Sequence, residues 1–265
     1  MQDLVRRMGE TYMGLLALGL PDERGPGGRL VRTDAAPLIY DANLLLDVSA
    51  SEPAACDALL AWVEERFSDV GHRHVIATAE TPAPFTARLA LAGYQAKPAL
   101  QMLLDGPLQG APPAAVEIRP IESEADWAAH RILLRRNHNE VCAREKRPQW
   151  EEAVTDQMLW VSRTKAPQLR FWMARVEGTD CAYFSSWPGS NGLGIVEDLY
   201  TDPPFRKRGV ARALIHHAVA DARARGAGPV MIGADPTDSP MHAYAALGFV
   251  PTCVTWNWLR VLAGS

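Results

Sequence analysis

Arg206, Lys207, Arg208 and Arg212 place four positive charges around Gly209, Val210 and Ala211. Immediately before them, Glu197, Asp198, Leu199, Tyr200 and Thr201 read as a strand, and after them the chain reads as a long helix. A strand that runs through a basic, glycine-bearing loop into a helix start is a cradle for an anion. The first amides of a helix have no partner inside it and carry about half a positive charge. Small residues at 209 and 211 let the backbone approach the ligand. A second group lies downstream in Tyr244-Ala245-Ala246-Leu247-Gly248-Phe249, which offers a phenol at a short, glycine-closed helix.

The basic cluster is local. Across 265 residues the formal net charge is −4, which argues against general nucleic-acid binding and suits one small polyanion better than a duplex. The hydrophobic fraction of 48% is that of a chain with a packed core. Cys56, Cys142, Cys181 and Cys253 are far apart without a CxxC pair, so they read as free thiols of a reducing cytoplasm, with no metal site implied. The apolar run from Leu15 to Leu20 falls short of the roughly 20 residues that span a bilayer and reads as part of a packed amphipathic helix.

These groups need elements to hold them. The proline- and glycine-rich stretch 106–114 reads as a linker between a first domain, 1–105, and a second, 115–265. After it the pattern predicts a strand near 116–118, helices over 124–136 and 149–163, and strands over 170–176, 181–187 and 194–201. A helix over 207–225, a strand over 230–234, a helix over 239–247 and a strand over 253–259 complete it. The first half aligns with part of the second without a gap: Gly71 to Ala79 against Gly226 to Ala234, and Ala90 to Tyr94 against Ala245 to Phe249. Where the second half has Arg206-Lys207-Arg208-Gly209, the first has Ser51-Glu52-Pro53-Ala54, an acid and a residue without an amide hydrogen. Leu89 stands where the second half has Tyr244. The first half therefore reads as a structural copy without the anion site.

The order of elements, the Arg-x-x-Gly-x-Ala loop at Arg206 to Ala211 and the Tyr-x-x-Leu-Gly-Phe at Tyr244 resemble the GNAT superfamily of N-acetyltransferases. The resemblance covers most of 115–265. It implies an α/β (α+β) fold of two GNAT-like mixed-sheet domains in tandem, with helices on both faces and a degenerate first domain. It implies acetyl-CoA as cosubstrate: Leu199, Tyr200 and Thr201 holding the pantetheine arm, and Arg206, Lys207, Arg208, Gly209, Val210, Ala211 and Arg212 the pyrophosphate. The family's asparagine ahead of the tyrosine helix is absent; Asp238 or Ser239 would cap that helix instead.

An acceptor ammonium must lose a proton before it attacks a thioester. With a pKa of about 10.4 this costs roughly 4.6 kcal/mol at neutral pH, so a positioned base is useful. Glu197 is the candidate base, with Asp198 behind it; simple alternation places Glu197 on one face with Leu199 and Thr201. The resemblance gives Tyr244 the role of acid toward the departing thiolate. Arg131, Arg135, Arg136, His138 and Glu140 fall on the acceptor side of such a fold, and Trp187 is a core or cleft-wall aromatic. His72, His74, His216 and His217 carry little catalytic weight. Protein N-termini, lysines, polyamines, aminoglycosides and small amino acids all remain open as acceptors, small-molecule or peptide, and oligomeric state is open too. A binding-class rival, a non-catalytic acyl-CoA sensor or scaffold, would keep the cradle without needing Glu197 or Tyr244.

Overall fold

The computed structural model describes residues 1–113, 116–237 and 239–262. The chain forms two compact units: one made of 1–102, 233–242 and 251–265, the other of 103–232 and 243–250. Sequence order runs α1 (Gln2–Ala17), β1 (Asp22–Gly25), β2 (Gly28–Val31), β3 (Leu44–Leu46), α2 (Pro53–Arg66), β4 (His72–Ala77), α3 (Ala83–Leu91) and β5 (Gln95–Leu104). It continues with β6 (Glu117–Pro120), α4 (Glu124–Arg144), α5 (Glu152–Lys165), β7 (Arg170–Val176), β8 (Thr179–Trp187) and β9 (Gly194–Thr201). The last elements are α6 (Val210–Ala224), β10 (Val230–Ala234), α7 (Pro240–Ala246) and β11 (Val250–Val261).

In the first unit, α2 and α3 bury Cys56, Leu59, Val63, Phe85 and Leu89 against Leu30, Leu45 and Val75 of the sheet. Its helix start matches the worn cradle: Glu52 is the N-cap of α2 and Pro53 opens it. The duplication is visible in the order α2-β4-α3-β5 against α6-β10-α7-β11, and in parallel pairing of β3 with β4 and of β9 with β10. The last strand is placed differently from the linear division at 106–114. β11 runs antiparallel to β4, from Trp256 opposite Ala77 to Val261 opposite His72, so the chain's C-terminal strand completes the first unit. Every residue of β4 is buried, and an edge of that kind needs a covering strand.

In the second unit, β6, β7, β8 and β9 form an antiparallel meander and β10 joins β9 in parallel. Helices cover both faces. On one, α4 sets His130 edge-on against Tyr183, with ring centroids 4.6 Å apart, and Asn137 donates to the Tyr183 hydroxyl at 2.9 Å. On the other, α6 sets His217 against Trp172 at 4.2 Å and Asp221 accepts from Ser186 at 2.6 Å. α6 buries Val210, Ala213, Leu214, Ala218 and Ala222, the three-four spacing of a helix with one packed face. α4 starts with a capping box, Ser123 and Asp126 exchanging bonds, and extends to Arg144, two turns beyond the stretch its periodicity predicts.

Candidate active site

The site starts from an irregularity in β9. Against β8 the register runs Trp187 opposite Ile195, Ser186 opposite Val196 and Ser185 opposite Glu197, and then shifts so that Tyr183 faces Tyr200. Three steps on β9 oppose two on β8, which is a β-bulge. Asp198 takes the left-handed conformation there, φ 63°. Ser185 closes the irregularity, its hydroxyl donating to the Glu197 carbonyl at 2.9 Å.

The bulge changes which side chains share a face. Residues directly opposite across a ladder lie on the same side. Tyr183 faces α4, and Tyr200 stacks on it with centroids 5.6 Å apart. Glu197, opposite Ser185, is therefore on the α4 side with Tyr200. Alternation alone groups Glu197 with Leu199 and Thr201; the extra residue at the bulge inverts that phase.

On its other edge, β9 pairs in parallel with β10, Gly194 to Val196 lying opposite Val230 to Ile232. Leu199, Tyr200 and Thr201 close the strand, which ends at Thr201. Beyond them Pro203–Phe205 form a single 3₁₀ turn and the basic loop begins. Lys207 and Gly209 both have positive φ, 60° and 82°, so the chain reverses twice before α6 starts at Val210. Such turns bring successive amides to one side and form an anion-binding concavity. The helix starts later than expected because Lys207 and Arg208 belong to this turn.

The basic side chains divide their work. Arg208 is exposed and pairs with Glu177 at 2.7 Å. Lys207 and Arg212 are exposed at the loop and in the first turn of α6. Arg206 points elsewhere: its Nε donates to the Thr201 carbonyl at 2.8 Å, its Nη2 to Glu140 at 2.6 Å, and its guanidinium lies 5.9 Å from the Tyr200 ring centroid. Burial, with Asp202 beside it, pushes the Tyr200 phenol above its ordinary range.

The linker stretch contributes to the site, which its composition did not signal. Gln109 donates its amide to the Leu247 carbonyl at 2.9 Å, and Arg223 donates to the Gly106 carbonyl at 2.7 Å. Pro113 packs against Gly209. Tyr244 sits in α7, 7% exposed, its ring centroid 6.3 Å from that of Phe249. Glu197, residues 199–201, residues 206–212 and Tyr244 thus belong to one compact unit. Asp238 lies outside the described residues, so its capping role has no structural counterpart here.

The remaining sequence candidates find structural partners. Arg131 bridges Glu152 and Asp156, and Arg135 bridges Glu152, so these arginines pin α4 to α5. His138 is buried against Thr155 and Trp150, and burial lowers its pKa to about 4. Trp187 is buried opposite Ile195. In the first unit His72 contacts the Asn43 carbonyl, and His74 the Tyr40 carbonyl and Asn257. Among the described residues no group of three or more His, Cys, Asp or Glu is placed to hold a metal ion, and no helix is long and apolar enough to cross a membrane.

Residues 126–249 match the model of the Acetyltransferase (GNAT) family. A stretch of 67 residues is 36% identical to streptothricin acetyltransferase of Streptomyces lavendulae, covering 25% of this chain and 34% of that protein. The chain thus spans about a third of the length of that curated relative. Over 98% of its length it is similar to the GCN5-related N-acetyltransferase from Kribbella flavida, covering 96% of that chain with a TM-score of 0.69 and 15% identity. A tandem GNAT protein from the clavulanic acid biosynthesis pathway is matched over 98% of this chain and 96% of that one, with a TM-score of 0.59 and 17% identity. At such identities the two structures speak for the fold, a tandem arrangement included.

Proposed function

We propose, from the match of residues 126–249 to the Acetyltransferase (GNAT) family, that the chain is an N-acetyltransferase that moves an acetyl group from acetyl-CoA to an amine by direct attack. The observation that carries the reading is the bulge at Asp198, which sets Glu197 and Tyr200 on one side of β9, ahead of the turn through Lys207 and Gly209 that opens α6. An extended pantetheine arm would lie along the backbone of Leu199, Tyr200 and Thr201, after the bulge. The diphosphate fits the turn before Val210, where Gly209 adds no side chain and Lys207, Arg208 and Arg212 add charge.

The chain's own groups then divide the proton transfers. Glu197, on the α4 side of the sheet, takes the proton from the acceptor ammonium, directly or through a water. The amine nitrogen bonds to the thioester carbon, backbone N–H groups near the bulge stabilise the charge on its oxygen, and the C–S bond breaks. Tyr244 supplies a proton to the departing thiolate, whose pKa near about 8.5 lies below that of a phenol near about 10. The amine is itself the nucleophile, so no covalent enzyme intermediate is needed.

The deciding experiment is a titration with acetyl-CoA. Arg208→Glu combined with Gly209→Glu should weaken binding at least about tenfold, or about 1.4 kcal/mol. Unchanged affinity in a folded double variant would remove the assignment. Free-thiol release with a panel of amines then separates an enzyme from an acyl-CoA sensor, which would bind the donor and turn over none of them.

A further inference from the structure

Two ion pairs one helical turn apart join α4 to the end of β9 with crossed polarity. Arg136 Nη1 donates to Asp202 Oδ2 at 2.6 Å, and Arg206 Nη2 donates to Glu140 Oε2 at 2.6 Å. On α4 the order is cation then anion; on the facing segment it is anion then cation. A slip of α4 by one turn would set Arg136 against Arg206, or Glu140 against Asp202, and like charges repel at contact distance. Between the pairs stands Tyr200, its hydroxyl 3.3 Å from Asp202 Oδ1 and its ring under the Arg206 guanidinium. Asp202 is fixed from the backbone as well, its amide donating to the Cys181 carbonyl at 2.8 Å.

We propose that Arg206 is a positioning residue: together with Glu140, Asp202 and Arg136 it locks the last turns of α4 in register over β9, leaving the donor diphosphate to the loop amides and to Arg208. The lock matters because Glu197 and Tyr200 face α4. The space in front of Glu197, through which an acceptor amine must approach, has α4 as its opposite wall. Each ion pair alone is partly exposed and holds little. The crossed arrangement determines one register and disfavours its neighbours. This rests on the reading of β9 and the basic loop as the donor site, and it predicts that Arg206 and Arg208 differ in kind although only two residues separate them.

Hydrogen exchange and acetyl-CoA titration on the full-length chain test the idea. Arg206→Gln and Glu140→Gln should each raise amide exchange in residues 136–144 by about fivefold and move the acetyl-CoA Kd by less than about twofold. The exchanged pair Glu140→Arg with Arg206→Glu keeps an ion pair but places two cations on α4 and two anions opposite, so protection of that turn should return only in part. Full return would show that pairing without crossed order holds the helix, and would overturn the register lock. A loss of donor affinity of about tenfold in Arg206→Gln but not in Glu140→Gln would make Arg206 a phosphate ligand and overturn the proposal. Unchanged exchange in both single variants would overturn it too. Failure of wild-type chain to bind acetyl-CoA would instead strike the donor-site reading, with the exchange result still legible.

Discussion

Pro113 lies so close over Gly209 that a Cβ at residue 209 would stand 2.7 Å from Pro113 Cγ. Gly209 is also left-handed, φ 82°, a conformation that costs other residues about 1–2 kcal/mol. Two independent constraints therefore hold this position to glycine, in addition to the bare amide that the proposed donor site asks for. Gly209→Ala should distort the turn ahead of α6 and weaken acetyl-CoA binding about tenfold. Adding Pro113→Ala should recover the part that comes from contact and leave the part that comes from φ. Calorimetric titration of the three proteins separates the two; equal affinity for all would show that the turn tolerates a side chain.

Tyr244 tests the acid role through a substitution that keeps its backbone contacts. The Tyr244 carbonyl accepts from Leu247 N at 3.0 Å and from Phe249 N at 3.1 Å. Tyr244→Phe leaves both bonds and the ring packing in place. Turnover should fall by about 10²-fold, while the acetyl-CoA Kd shifts by less than about twofold. Lost donor binding with normal turnover would assign the phenol to packing on the thioester instead.

Glu197→Gln should be most damaging near neutral pH and least damaging near the amine's own pKa. A base is needed only while the acceptor is protonated. With an alkylammonium pKa of about 10.4, the free amine is scarce at pH 7 and abundant near pH 10. The ratio of wild-type to variant turnover should therefore shrink as pH rises, from about 10²-fold toward a few-fold. A ratio constant across that range would mean that Glu197 shapes the bulge without accepting the proton.

Local sequence carried the start of α4, the strand-loop-helix order and the two GNAT-type motifs, because capping, periodicity and glycine act within a few residues. What it could not carry depends on partners distant in the chain. The bulge at Asp198 is set by pairing with Ser185 and Tyr183, so the face of Glu197 was not readable from β9 alone. Arg206 looks identical to Arg208 in a run of basic residues, and their distant partners, Glu140 at 66 positions and Glu177 at 31, set them apart. The composition of 106–113 marks a linker, yet its contacts with Gly209 and Leu247 are long-range and leave no local signal. Asp202 follows the end of β9 directly, but its burial depends on Arg136 and Tyr200.

The placement of β11 makes the two halves unequal as fragments. The first unit needs residues 251–262 as the neighbour of β4, whose six residues are all buried. A fragment ending at residue 105 would expose that edge and should aggregate or remain partly unfolded. Supplying a peptide of residues 249–262 should raise its melting temperature and restore a cooperative transition. A fragment 1–105 that melts cooperatively without the peptide would show that β11 is dispensable to the unit.

Acid should destabilise the protein in a window set by buried histidines. Burial lowers His72, His130 and His138 from 6.5 to about 4. The unfolded chain binds these protons as pH falls through 6.5, whereas the folded protein resists until about 4. Stability is therefore full above pH 6.5 and declines progressively toward pH 4. His130 is the clearest case: it is boxed by Trp127, Phe171 and Tyr183, and its Nδ1 has no hydrogen-bond partner among the described residues. By pH 5 its share of the loss is roughly 2 kcal/mol. His130→Leu leaves no polar group stranded and cannot take up a proton. Its stability relative to wild type, from urea unfolding at pH 7 and pH 5, should improve by about that amount at the lower pH. An identical difference at both values would mean that His130 is protonated in the folded protein as readily as in the unfolded chain.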